Sequence, residues 1–192
     1  GNTVIDALNW ILANRSASQL ARYHAGLPAM IERKYVLVTC HRREAFGAPM
    51  DGLMAGFARL SREMPALGFV FPVHPNPTVL ASAHRHLAGL SNVVLTAPLD
   101  YVHFAHVLKH SFFVMTDSGG VQEEAAALGK PTIVLRDKTE RGEGIAAGNA
   151  VLGGLDPEKM MALARKLATD GEFYGSMARP ALIYGDGQAA GR

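Results

Sequence analysis

Apolar residues in this chain fall in short unbroken runs, and the stretches between them carry apolar positions at helical spacing. The runs are YVLVTC (35–40), GFVFPV (68–73), NVVLTA (92–97), FFVMT (112–116), PTIVLR (131–136) and AVLGG (150–154). They are continuous rather than alternating, the pattern of strands covered on both faces. Helices are predicted around 49–64, 77–88 and 101–109, from Pro157 to about Thr169, and after Ser118-Gly119-Gly120. A polar loop follows the run at 131–136. Strand and helix alternate at least five times, which predicts an α/β fold with a Rossmann-like parallel sheet and helices on both faces. Ahead of it, Val4, Ile5, Leu8, Ile11 and Leu12 form a helical stripe with Asn2 or Thr3 as cap. A loop around Gly26-Leu27-Pro28 follows.

The expected organisation is an N-terminal helix leading into the domain (1–27), a Rossmann-like domain (28–170) and a Gly-rich, unfinished tail (171–192). The chain opens on the edge of a helix without Met, so it is expected to be a piece of something longer. At 192 residues and 48% hydrophobic it can bury a substantial core. The net charge is +2 with acids and bases interspersed, which points to neither a nucleic-acid nor a membrane partner. Cys40 is the single cysteine; it excludes an internal disulfide and suits a reducing cytoplasm. No apolar run approaches the ~20 residues of a membrane span, and the start has no basic signal-peptide region.

In such a sheet, ligands bind outside the carboxyl ends of the strands. Four polar clusters fall there: HRRE (41–44), HPNP (74–77), DSGG (117–120) and RDKTER (136–141). Gly119 and Gly120 let the backbone approach an anion, the free N–H groups of the following helix favour phosphate, and Ser118 adds a hydroxyl. Glu123 and Glu124, read as first-turn residues, offer a carboxylate to a ribose diol. The plainer account makes Asp117 or Ser118 a helix cap, with the two acids offsetting the dipole. In HRRE, His41 suits proton transfer or a pH-sensitive phosphate contact. Arg42 and Arg43 suit a phosphate clamp, with Glu44 orienting one of them; a loop salt-bridge cluster explains the same residues. His74, between prolines, reads as structural more readily than catalytic. His103, His106 and His110 share a helical face, but without a supporting cysteine or acid cluster they read as solvated surface rather than a metal site.

Taken in order, VTCHRREAFG, FPVHPNP, APLDYVHF, TDSGGVQEEAAALGKP and LRDKTERGEGIAAGN resemble the bacterial non-hydrolysing UDP-N-acetylglucosamine 2-epimerases over nearly the whole chain. The resemblance implies the C-terminal half of a glycosyltransferase-B-type fold, with the active site between two Rossmann-like domains. It implies that Ser118, Gly119 and Gly120 hold the UDP diphosphate, Glu124 the ribose hydroxyls, and the segment around Phe104 the uracil. Arg141 also reaches the nucleotide, and His41 assists departure of the leaving group. Arg42, Arg43 and His74 line the same cleft. The implied reaction is inversion at C2 by elimination and re-addition of UDP, without metal or other cofactor. Its C2-proton carboxylates lie in a missing N-terminal domain, and the full-length enzyme is expected to be a cytoplasmic homodimer. The sequence departs from the family pattern at Ala45, Pro75, Gly142 and Gly144, and the last two predict a loosened ligand-contacting loop. Alternatives are a hydrolysing epimerase, a glycosyltransferase of the same architecture, and a stand-alone UDP-sugar-binding module.

Overall fold

A computed structural model describes residues 3–16 and 18–191. Helix α1 (Thr3–Asn14) and a short α2 (Leu27–Ile31) precede β1 (Tyr35–Thr39). Then follow α3 (Ala48–Glu63), β2 (Gly68–Pro72), α4 (Pro77–Leu87), β3 (Val93–Thr96), α5 (Tyr101–His110) and β4 (Phe113–Thr116). The chain continues through α6 (Gly119–Ala127), β5 (Thr132–Val134), α7 (Gly142–Ala146), β6 (Ala150–Leu152), α8 (Pro157–Thr169) and α9 (Gly171–Met177). The six strands form one parallel sheet in the order β3-β2-β1-β4-β5-β6, the doubly wound arrangement the alternation predicts. Each apolar run lands on a strand to within a residue or two at either end.

The unbroken runs follow from burial on both faces. Val36 and Val38 of β1 pack with α3, α4 and α8, whereas Tyr35 and Leu37 pack with α2, α5 and α6. All four are buried. Each such side chain removed from water contributes about 1.5–3 kcal/mol, so neither face of the strand tolerates a polar residue. Helix α1 sets Leu8 and Ile11 against Ala105 of α5. Asn2, one of its two candidate caps, lies outside the described residues.

Three helices occupy segments expected to be loop or tail. In α2, Pro28 sits in the first turn, where its missing N–H costs no hydrogen bond; it reads as a loop signal only out of context. Helix α7 contains two glycines and rests on packing against β6 and α6. Helix α9 begins where the Asp170 side chain accepts from Phe173 N–H at 2.9 Å. Beyond it the tail crosses the molecule: Ala181 N–H donates to Ala126 O at 2.9 Å, and Ala190 N–H donates to Asp6 Oδ2 at 2.5 Å. The tail thus returns to pack beside α1.

Candidate functional site

The strand order reverses between β1 and β4, and a doubly wound sheet opens its binding crevice there. In register, Thr39 ends β1 opposite Thr116 at the end of β4, and their hydroxyls lie 2.5 Å apart. This pairing brings HRRE and DSGG side by side. Asp117, fully buried, accepts the backbone N–H groups of His41 and Arg42 on Oδ2, at 2.6 and 2.7 Å. Its Oδ1 lies 3.0 Å from His41 Nδ1. Burial by itself would raise the pKa of this carboxyl, but the His41 side chain and the two amides outweigh it and hold Asp117 below the usual carboxylate range. Asp117 is therefore not a helix cap. It ties the β1 loop to the β4 loop and orients the His41 ring.

Ser118 is the residue that caps α6, accepting from Val121 N–H at a loose 3.5 Å. Gly119 and Gly120 occupy the first helical positions, whose N–H groups have no intrahelical acceptor. A Cβ at Gly119 would lie 3.6 Å from the guanidinium of Arg141, so that cation covers the helix N-terminus. Arg141 Nε donates to Glu123 Oε1 at 2.5 Å. Its N–H donates to Thr139 Oγ1, which in turn donates to Gln122 Oε1 at 2.8 Å. Glu123 and Glu124 lie in the second turn of α6 rather than the first, and they divide the work. Glu123 holds Arg141, while Glu124 accepts from Tyr101 OH at 2.7 Å. Burial raises the pKa of Glu124, helped by the neighbouring Glu123 and opposed by the Tyr101 hydrogen bond.

Two adjoining clefts share Phe104, Ser118 and Val121. One, of about 500 Å³, is also lined by Tyr101, Gly120 and Glu124. The other, of about 400 Å³, is also lined by His41 and His74. The rings of His41 and His74 stack at 5.3 Å and 13°, and Asn76 N–H donates to His74 Nδ1 at 3.1 Å. A larger hollow of about 700 Å³ beside Trp10 holds none of these residues. Among the described residues, the Arg42 and Arg43 side chains are exposed and unpaired, open to an anion. Glu44 orients neither of them. It pairs instead with Arg136, at 2.6 Å from Nε, because Arg136 ends the β5 run beside it.

Two further expectations are corrected. His103 is not solvated surface but 7% exposed, with Nδ1 2.7 Å from Asp100 Oδ1 and Nε2 2.7 Å from Ser18 O. Among the described residues, no group of three His, Cys, Asp or Glu is arranged to hold a metal. Gly144 does not leave its loop slack: its N–H donates to Tyr184 OH at 2.9 Å. Gly142, the other departure, has no neighbour where a side chain would project. Asp117, Tyr101 and Tyr184 carry no site role in the sequence reading, and Glu123 is read there as a ribose ligand rather than as the partner of Arg141. Asp117, Tyr101 and Glu123 stand inside quoted motifs. Tyr184 has no local signal at all, since its partners lie some forty residues away.

Over residues 1–192 the chain matches the family described as UDP-N-acetylglucosamine 2-epimerase. It is 43% identical over 192 residues to the UDP-N-acetylglucosamine 2-epimerase of Bacillus subtilis (strain 168), covering all of this chain and 49% of that protein. It is similar in structure to the UDP-GlcNAc 2-epimerase from Neisseria meningitidis bound to UDP-GlcNAc. There the TM-score is 0.88 and the identity 35%, over all of this chain and 52% of that one. The C-terminal domain of a group 1 glycosyltransferase from Francisella tularensis aligns at a TM-score of 0.62 and 14% identity. That match covers 77% of this chain and 81% of that one, and shows the fold alone. The chain spans about half the length of the curated relatives it matches. Among the described residues, no helix is long and apolar enough to cross a membrane.

Proposed function

The chain belongs to the UDP-N-acetylglucosamine 2-epimerase family, and we propose that it is the nucleotide-holding half of an enzyme interconverting UDP-GlcNAc and UDP-ManNAc. The observation that carries this reading is the crevice between β1 and β4. There a helix start with free N–H groups at Gly119 and Gly120, a guanidinium and a histidine beside Asp117 come together.

In this reading the diphosphate lies against the N–H groups of Gly119 and Gly120, the Ser118 hydroxyl and the Arg141 fork, with Arg42 and Arg43 on the opposite loop. Helix N-termini and guanidinium groups favour phosphate oxygens. Glu124 takes the ribose hydroxyls, and the uracil lies by Phe104. A base of the other half removes the C2 proton. The electron pair forms the C1–C2 double bond of 2-acetamidoglucal as the C1–O bond breaks and UDP leaves. Protonation of C2 from the opposite face and return of UDP to C1 complete the inversion.

What this half supplies is stabilisation of the departing diphosphate by groups already in place. With Nδ1 turned toward Asp117, His41 keeps Nε2 for the leaving oxygen. The family resemblance further supports reading the full-length enzyme as a cytoplasmic homodimer.

Calorimetric titration of the full-length protein with UDP, ADP and pyrophosphate tests the site. UDP bound over both controls is expected. Equal weak binding of all three would reduce the crevice to a generic anion site. Conversion of UDP-GlcNAc by the same preparation separates an epimerase from a binding module, and release of free N-acetylmannosamine would mark the hydrolysing chemistry.

A further inference from the structure

Tyr184 comes from the C-terminal tail, yet its hydroxyl sits between two backbone groups of the loop that carries Arg141. It accepts from Gly144 N–H at 2.9 Å and donates to Arg141 O at 3.1 Å. Burial holds its pKa above the ordinary tyrosine value, so the hydroxyl keeps the proton it donates. Arg141 is the first residue of the turn into α7 and has no side-chain cap of its own there. Its guanidinium is held by Glu123, whereas its carbonyl accepts from both the Tyr184 hydroxyl, at 3.1 Å, and Gly144 N–H, at 3.2 Å. A side chain so placed is fixed at both ends.

The space at residue 144 tells the same story. A Cβ on Gly144 would lie 2.9 Å from the Tyr184 hydroxyl, closer than such atoms approach. The hydroxyl thus occupies the room a side chain would need, and the glycine and the tyrosine form a complementary pair. Tyr184 is itself anchored on both sides, by Ala181 N–H to Ala126 O and by Ala190 N–H to Asp6. The tail therefore acts as a strap across the loop rather than a loose end.

We propose that Tyr184 is a positioning residue for nucleotide binding: by bracing the turn in which Gly144 N–H already meets the Arg141 carbonyl at 3.2 Å, it fixes the Arg141 guanidinium over the start of α6. The inference rests on the reading of Ser118–Gly120 and Arg141 as the diphosphate site. Its consequence is that nucleotide affinity depends on a residue that touches no nucleotide, through Arg141 alone.

A double-mutant cycle on the full-length protein tests this, with UDP affinity measured by calorimetry for the wild type, Tyr184→Phe, Arg141→Ala and the double variant. Tyr184→Phe keeps the ring and removes both hydroxyl hydrogen bonds, leaving the turn only its Gly144 N–H to Arg141 O bond. It is expected to weaken UDP about tenfold, the size of losing one or two ordinary hydrogen bonds. In the Arg141→Ala background the same change is expected to add nothing, because the group it positions is gone. An undiminished effect in that background would make Tyr184 a general support of the fold and overturn the proposal. So would unchanged UDP affinity in Tyr184→Phe alongside a loss in Arg141→Ala, which leaves the diphosphate reading intact. If Arg141→Ala itself binds UDP normally, that reading fails at Arg141 and the inference falls with it. A second pair checks the packing: Gly144→Ala is expected to weaken UDP in the wild type but to cost nothing further once Tyr184 is Phe. An equal loss in both backgrounds would overturn the complementarity.

Discussion

His41 Nδ1 lies 3.0 Å from Oδ1 of Asp117, a carboxylate with no solvent exposure whose other oxygen is taken by two backbone amides. An ionised carboxylate only accepts, so this contact favours the tautomer with the hydrogen on Nδ1 and leaves Nε2 for chemistry.

Asp117→Asn inverts that choice. The amide oxygen can still accept the two backbone N–H groups, but its NH₂ then faces Nδ1 and drives the ring hydrogen to Nε2. In the full-length protein, turnover of UDP-GlcNAc is expected to fall about 10²-fold with little change in KM, the loss associated with a misplaced acid–base group. A rise in KM with kcat unchanged would make His41 a binding residue only. The same carboxyl sets an acid limit. Its folded pKa is depressed, so its stabilisation is present above the unfolded value of about 3.9 and is lost as pH falls through the lower folded value. Asp117→Asn is expected to blunt the loss of melting temperature below pH 4.

Ser118→Ala separates capping from ligand contact. The cap hydrogen bond to Val121 is long at 3.5 Å, so its loss is expected to cost at the low end of the usual range, about 0.5 kcal/mol of stability. Loss of a hydroxyl donor to a charged diphosphate is worth about 1.5–3 kcal/mol, and UDP affinity is expected to fall correspondingly more. Equal losses in denaturant stability and in UDP binding would leave Ser118 a cap and nothing else.

Glu124 is predicted to trade stability for affinity. Its pKa is raised, chiefly by burial, so its contribution to stability is present below the unfolded value of about 4.3 and is lost as pH rises through the folded one. Glu124→Gln keeps an acceptor for Tyr101. The variant is expected to melt higher than wild type at pH 7.5, to lose that advantage at pH 4, and to bind UDP about tenfold more weakly. A variant no more stable at pH 7.5 would show that solvent or Tyr101 already relieves the buried charge.

Gly129 sets the crossing of the tail over α6. It has φ +64°, and a Cβ there would meet the backbone N of Pro180 at 2.8 Å. Gly129→Ala combines left-handed strain with a backbone clash and is expected to destabilise by about 2–3 kcal/mol. Chemical denaturation would register this; a change within experimental error would mean the tail can lift away without cost.

Continuous apolar runs mean strands covered on both faces because each face of β1 meets its own helix layer, and that pattern is written locally. The parallel sheet, its main helices and the cluster of polar residues at the strand ends were readable on that basis. So was the turn from β4 into α6 at Ser118-Gly119-Gly120, whose cap depends on adjacent residues. The short helices α2, α7 and α9 were not, because few of their contacts are local: α7 holds two glycines and stands on β6 and α6. Asp117 was visible only as one of two candidate caps, the one that did not hold, since its partners His41 and Arg42 arrive from another strand. Glu44 was matched to its neighbours in sequence and found Arg136 in space. Tyr184 had no readable role, for its hydroxyl bonds backbone atoms, which carry no residue identity, in a loop brought near by the fold. Propensity, periodicity and turn chemistry act over a few residues and leave their mark in order along the chain. The pairing of charges, tautomers and backbone hydrogen bonds depends on which strand ends lie side by side, and that follows from the strand order at β1 and β4.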